Sequence, residues 1–178
     1  QKKEKNGIVI RQDMLENRVK IVYLSIGSNL GNRINNIEKA KSKLIEKGIE
    51  ILSASSYYET FSWPDKNKPK FYNIVLKIKT TFNELKLLKI CKEIEKFLGR
   101  KKMPINSPRE CDIDIIDFSN KFSEQFINLP HPRMHTRNFV LIPLFEINRN
   151  WKHPVIRQNI KTLIFSLSNR DITSIKQI

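Results

Sequence analysis

Cys111-Asp112-Ile113-Asp114-Ile115-Ile116-Asp117-Phe118 is the stretch on which the fold turns. Apolar and acidic residues alternate in it, which is the pattern of a half-buried strand. Residues two apart on a strand share a face. Ile113 and Ile115 therefore fall on one side, and Asp112, Asp114 and Ile116 on the other. The strand closes a series of elements that begins at Lys20.

Lys20–Ile26 reads as a buried strand (Ile21, Val22, Tyr23, Leu24, Ile26). Gly27-Ser28-Asn29-Leu30-Gly31 is turn chemistry. Ile34, Ile37, Leu44 and Ile45 then follow helical spacing, with Lys41 a polar interruption and Gly48 a C-cap. Ile49, Ile51 and Ser53 alternate into Tyr57 and Tyr58 as one second strand. Thr60 to Lys70 holds prolines, Asp, Asn and lysines and reads as an exposed loop. Phe71–Thr80 is a third strand, with Ile74, Leu76 and Ile78 inward and Asn73, Val75, Lys77 and Lys79 on a wet face. Asn83 caps a helix carrying Leu85, Leu88, Cys91, Ile94 (or Glu95) and Leu98 to Gly99.

The order is strand, helix, strand, strand, helix, strand. It predicts an α+β, ferredoxin-like sandwich: an antiparallel sheet backed by two helices. Beyond it the pattern predicts a helix over Arg137–Ile147, another over Asn159–Ser168, and a short strand near Ile172–Ile175. Residues 1–19 read as a tail or linker and 20–178 as a single domain. The first residue is Gln1, so either the start is trimmed or the chain is cut from a longer one.

The chain has 178 residues with a 39% apolar fraction, enough for a core and too much for disorder. No apolar run approaches the ~18 residues of a membrane span, and the first twenty residues lack a signal-peptide core. Cys91 and Cys111 form no C-x-x-C pair and are too few for a disulfide framework. They read as buried thiols in a reducing, cytoplasmic setting. The net charge of +15 suits a polyanion partner, but the lysines are spread through every segment and fit a generally basic surface equally well.

Asp112 and Asp114 carry the chemistry. Two carboxylates side by side repel unless a cation lies between them. Magnesium prefers carboxylate oxygen and takes the rest of its shell from water and phosphates. Arg109 precedes the pair, and its guanidinium matches phosphate oxygens; Arg100, Lys101 and Lys102 share its loop. In Leu129-Pro130-His131-Pro132-Arg133-Met134-His135-Thr136-Arg137-Asn138-Phe139 the prolines rule out a helix before Met134. His131 and Arg137 then fit phosphate contacts better than a metal site. Phe71, Asn73, Trp63 and Phe139 suit the walls and edge readers of a flat heteroaromatic ring.

These segments together resemble the 6-hydroxymethyl-7,8-dihydropterin pyrophosphokinase family. The likeness runs through Tyr23–Gly31, Ser55–Thr60, Phe71-Tyr72-Asn73, Pro108-Arg109…Asp112–Ile115, Leu129–Leu144 and, more loosely, Trp151–Val155. The resemblance implies diphosphate transfer from ATP to the pterin hydroxymethyl group in folate biosynthesis, with release of AMP. It implies two Mg2+ ions on Asp112 and Asp114. It places Glu95, Arg100, Arg109, Ile115, His131 and Arg137 on the ATP side, and Thr60, Phe71, Asn73 and Phe139 around the pterin. Asp112, Asp114, Arg109 and Arg137 are the catalytic set, and loops 61–69 and 99–109 close over the substrates. ATP and the pterin are the partners, without nucleic acid or membrane, and a fusion to another folate-pathway domain is compatible. The family's tryptophan before Pro-Arg has no counterpart in Ile105-Asn106-Ser107, where the loop is one residue short. An RNA-binding module and a small-ligand regulatory domain share the element order. The first lacks its glycine-aromatic motif here, and the second has no need of Asp112 and Asp114.

Overall fold

The computed structural model describes residues 18–101 and 103–178. Apart from Arg18 and Val19, the expected tail lies outside the described residues, as does Lys102. The strands are β1 (Lys20–Ser28), β2 (Glu50–Ala54), β3 (Tyr58–Thr60), β4 (Phe71–Thr80), β5 (Asp112–Phe118) and β6 (Lys176–Gln177). The helices are α1 (Arg33–Glu46), α2 (Glu84–Phe97), α3 (Asn138–Ile147), α4 (Ile160–Phe165) and α5 (Asn169–Ser174), with a 3-10 turn at Met134–Thr136. The sheet runs β5-β1-β4-β3-β6, with β2 also on β4, and the pairings are antiparallel. This is the ferredoxin-like sandwich that the element order predicts.

One face of the sheet packs Val22, Leu24, Ile26, Ile74, Leu76, Ile78, Ile113 and Ile115 against α1 and α2. Burying each such side chain contributes about 1.5–3 kcal/mol. Asn32 and Asn83 cap the two helices, accepting from Asn35 N and Lys86 N. Both helices sit rotated from the stripes expected of them. α1 buries Ile37, Ala40 and Leu44, leaving Ile34 and Ile45 exposed. α2 buries Leu87, Ile90, Cys91, Ile94 and Glu95 and exposes Leu85. Two overlapping apolar stripes run along each helix, and packing against the sheet selects between them. Cys91 and Cys111 are free and buried; burial pushes the Cys91 thiol up to about 12 and raises that of Cys111 too.

The other face is drier than expected. Val75, Tyr23 and Ile116 are covered by Met134, α3, Trp151 and α4, and Asn73 is buried; of the four β4 positions expected to be wet, Lys77 and Lys79 keep partial contact with water. The second strand is two. It breaks after Ala54, where Ser55 N donates to Val75 O and Ser55 Oγ accepts from Val75 N. A serine hydroxyl thus replaces a ladder bond. The strand expected near Ile172–Ile175 is mostly the helix α5, because Ser168 caps it by accepting from Asp171 N. The strand follows at Lys176–Gln177, paired with β3. α4 ends at Phe165, short of the expected Ser168.

Candidate functional site

The register of β1 builds the site. Gly27 pairs with Asn73 of β4 on one side and Asp112 of β5 on the other; two residues back, Ser25 pairs with Val75 and Asp114. Small residues on the central strand leave space above the sheet beside both carboxylates. Gly27 is tightly determined: a Cβ there would lie 2.8 Å from Asn73 Oδ1 and 3.3 Å from Phe71 Cδ1. Asn73 cannot retreat without loss, since its Nδ2 donates to Thr60 Oγ1 at 2.9 Å in a buried pair. A cavity of about 590 Å³ opens over this row.

Thr60, Phe71, Asn73, Phe139, Arg109, Asp112, Asp114, His131 and Arg137 all line that cavity. Residues as far apart in sequence as Ser25 and Ser174 therefore meet in one space. The aromatic and charged sets interleave. The Arg109 guanidinium lies 5.5 Å from the Phe71 ring centre, and that of Arg137 lies 5.3 Å from Phe139.

Arginines hold the carboxylates. Arg100 Nη1 donates to Asp112 Oδ1 at 2.8 Å and Arg109 Nη2 to Asp112 Oδ2 at 2.6 Å. Asp114 is held more loosely, with Arg137 Nη1 at 3.4 Å and His131 Nε2 at 3.8 Å from Oδ2. Burial works against the charge on Arg100, but Glu95 and Asp112 outweigh it and raise its pKa. Burial lowers the pKa of Arg137, with Asp114 opposing. Burial also lowers that of His131, opposed by Asp114 and reinforced by Arg137 and Arg133. Arg109 Nε is buried without a hydrogen-bond partner, a donor left over for a further acceptor.

Glu95, Arg100 and Ile115 do not line the cavity. Glu95, 1% exposed, accepts from Ile113 N at 2.7 Å and pairs with Arg100 at 2.6 Å. It supports the arginine that holds Asp112. The Ile115 side chain is in the core against the helices and does not face the cavity. Lys66, which the sequence places in a solvated loop, lines the cavity, and Lys68 donates to Asn106 O at 2.9 Å. Arg133 and, from α5, Arg170 and Ser174 also line it; no local motif marks α5 as part of a site.

Among the described residues there is no cluster of three or more His, Cys, Asp or Glu suited to a metal. The available donor set is two carboxylates on one strand face. Hard oxygen donors of this number fit magnesium, which draws its remaining ligands from water and phosphate. No described helix is long and apolar enough to cross a membrane.

The chain is 41% identical over 141 residues to the 2-amino-4-hydroxy-6-hydroxymethyldihydropteridine pyrophosphokinase of Aquifex aeolicus (strain VF5), covering 79% of this chain and 88% of that protein. It is 39% identical over 169 residues to the folic acid synthesis protein fol1 of Pneumocystis carinii, covering 94% of this chain and spanning only 22% of that longer protein. Among solved structures, the wild-type HPPK-DHPS of Plasmodium falciparum shares the fold with a TM-score of 0.71 at 18% identity, over 92% of this chain and 45% of that one. The family model for 7,8-dihydro-6-hydroxymethylpterin-pyrophosphokinase (HPPK) matches residues 23–149, a span that holds both aspartates and the whole row across Gly27. The chain belongs to the HPPK family.

Proposed function

We propose that this chain transfers the diphosphate of ATP to the hydroxymethyl group of 6-hydroxymethyl-7,8-dihydropterin, releasing AMP, in folate synthesis. The observation that carries the reading is the row Asp112–Gly27–Asn73. It joins a paired-carboxylate site to an aromatic, amide-bearing pocket inside one cavity. Family membership supports the same reaction.

Phe71 and Phe139 are the ring-stacking walls, and Asn73, backed by Thr60, reads the pterin edge. Arg109, His131 and Arg137 bind the triphosphate, with Arg100 and Glu95 supporting from behind Asp112. The Ile115 backbone is the remaining ATP-side contact. The pterin hydroxyl oxygen attacks the β-phosphorus, the bond from that phosphorus to the α,β-bridging oxygen breaks, and the hydroxyl proton passes to solvent. Such transfers depend on positioning and charge neutralisation. Two Mg2+ ions held by Asp112 and Asp114 would supply neutralising charge at the phosphate oxygens. Arg109 and Arg137 neutralise the charge that develops on the transferred group.

Residues 20–178 form one catalytic domain in this reading, since β6 returns residues beyond the family match to the edge of the sheet. Free buried cysteines support a reducing, cytoplasmic setting. A second folate-pathway domain in the same polypeptide is supported by the longer fol1 relative. The test is AMP formation from ATP and the dihydropterin, followed chromatographically with and without magnesium. Magnesium-dependent AMP release that requires the pterin is expected. ATP binding with no AMP release in the presence of both substrates and magnesium would sink the reading.

A further inference from the structure

The helix α5 lies beyond the residues that the family model matches, yet Arg170, Asp171 and Ser174 line the cavity. The helix is held along its whole length. Before it, Ile164 and Leu167 pack on the apolar cluster that includes α3, and Ser168 Oγ accepts from Asp171 N at 3.1 Å. After it, Lys176 and Gln177 pair with Glu59 and Tyr58 of β3, and Ile178 N donates to Tyr57 O at 3.0 Å. In between, Asn138 Nδ2 donates to Asp171 O at 2.7 Å and to Ser174 Oγ at 3.4 Å. Asn138 opens α3 between Arg137 and Phe139, and all three line the cavity. α5 is therefore pinned to a wall of the site.

Arg170 is exposed and lines the cavity, so it stands at the margin of that space. Deeper in, Arg109 and Arg137 are engaged by Asp112 and Asp114. The Arg170 guanidinium has no ion pair among the described residues. An exposed arginine is ordinarily a solvated charge, but this one is carried over a cavity by a fixed backbone. The stereochemistry of the proposed transfer says which group it meets. In-line displacement at the β-phosphorus sets the attacking pterin oxygen and the departing AMP oxygen on one line. The γ-phosphate hangs from a third oxygen of that phosphorus, so it projects sideways from the line. On the floor lie the carboxylates of Asp112 and Asp114, which are acceptors only and offer a phosphate no donor. At the margin lie Arg133 and Arg170. A guanidinium offers two parallel N–H groups to phosphate oxygens.

We propose that Arg170 is a binding residue for the γ-phosphate of ATP, which becomes the outer phosphate of the transferred diphosphate. The group stays at the margin through the transfer, so the same contact serves ATP before the step and the pterin diphosphate after it. The inference rests on the reading of ATP and the pterin as the two substrates, and adds to it a residue from the C-terminal segment.

The test compares α,β-methylene ATP with α,β-methylene ADP, which lacks the γ-phosphate, by calorimetric titration of the full chain in magnesium. Wild-type protein should bind the triphosphate analogue more tightly than the diphosphate analogue. In Arg170→Gln that advantage should shrink by about tenfold, as expected for one lost bidentate contact to a charged group, while affinity for the diphosphate analogue stays within about twofold of wild type. Arg170→Lys keeps the charge and loses the fork, and the advantage should shrink by about threefold. An unchanged advantage in Arg170→Gln overturns the proposal. So does an equal fall for both analogues, because a diffuse positive field acts on either polyanion. Asn138→Ala frees α5 from α3 and leaves the guanidinium in place; the advantage should fall by about threefold, and no fall overturns the role given to the pinned helix. Wild-type protein that binds both analogues, with Arg170→Gln unchanged, defeats this assignment alone. Wild-type protein that binds neither defeats the assignment of ATP as a substrate as well.

Discussion

The two faces of the sheet are made from the same strands and are put to different uses. Towards α1 and α2, β1, β4 and β5 present Leu24, Ile26, Ile74, Leu76, Ile113 and Ile115 in a closed apolar layer. On the opposite face the same strands present Gly27, Ser25, Asn73, Asp112 and Asp114, and α3 and α4 cover only the Tyr23, Val75 and Ile116 end. The site is the uncovered half of a face. Its polar side chains are rigid because the residues between them on each strand are anchored in the core behind. Adjacent positions on β5 should therefore fail in different ways.

The largest effect expected is at Asp112→Asn. The proposed transfer should slow by about 100- to 1,000-fold, with thermal unfolding little changed, because the amide keeps the shape and loses the charge. An activity loss matched by loss of folded protein would erase the contrast between the faces. One residue along, Ile113→Ala should destabilise the fold by about 2–5 kcal/mol in denaturant unfolding, with turnover per folded molecule nearly kept. Gly27→Ala sharpens the comparison, since its Cβ must displace Asn73. The KM for the pterin should rise on the order of tenfold and that for ATP little, measured by varying each substrate in turn.

A smaller effect belongs to His153, packed behind the site. Its Nδ1 accepts from Val155 N and Ile156 N, each at 3.2 Å. Burial, with His135 beside it, lowers its pKa from 6.5 to about 4. The unfolded chain takes up a proton at the ordinary value and the folded chain resists it. Stability should hold above that value and fall as pH drops from about 6.5 towards 4. His153→Gln should flatten this slope in unfolding measured across that range. Least of all, Lys39→Gln on the exposed side of α1 should shift stability by under about 0.5 kcal/mol and leave activity unchanged.

Much of this contrast is legible in the alternation of β5. Asp112 and Asp114 opposite Ile113 and Ile115 predict one packed face and one polar face, and in the structure the isoleucines are in the core while the aspartates line the cavity. What the residues alone leave open follows from packing. Leu85-Lys86-Leu87-Leu88 offers two helical stripes, and only the sheet decides that Leu87 turns inward. Val75 looks solvent-facing until α3, which begins only at Asn138, covers it. Ile172 and Ile175 suit a strand or a helix equally, and the Ser168 cap decides. Within the candidate site, the aspartates, arginines and aromatics stand in recognisable segments. Asn29 stands in a recognisable turn, but its hydrogen bonds to Ser62, Pro69 and Arg109 leave no local trace there. The roles of Glu95 and Ile115 are altered by burial: one carboxylate supports from behind, and one side chain belongs to the core.

Glu95 has a consequence beyond the site. β5 is the outermost strand on its side, and an outer strand offers free N–H and C=O groups to any passing chain. The Glu95 carboxylate takes the N–H of Ile113, and His131 N donates to Ile116 O at 2.9 Å. At the far side, Lys176 and Gln177 pair with Glu59 and Tyr58. Glu95, His131 and β6 thereby blunt both margins of the sheet against self-association. Replacing Glu95 or trimming the last three residues should show first as aggregation at high protein concentration.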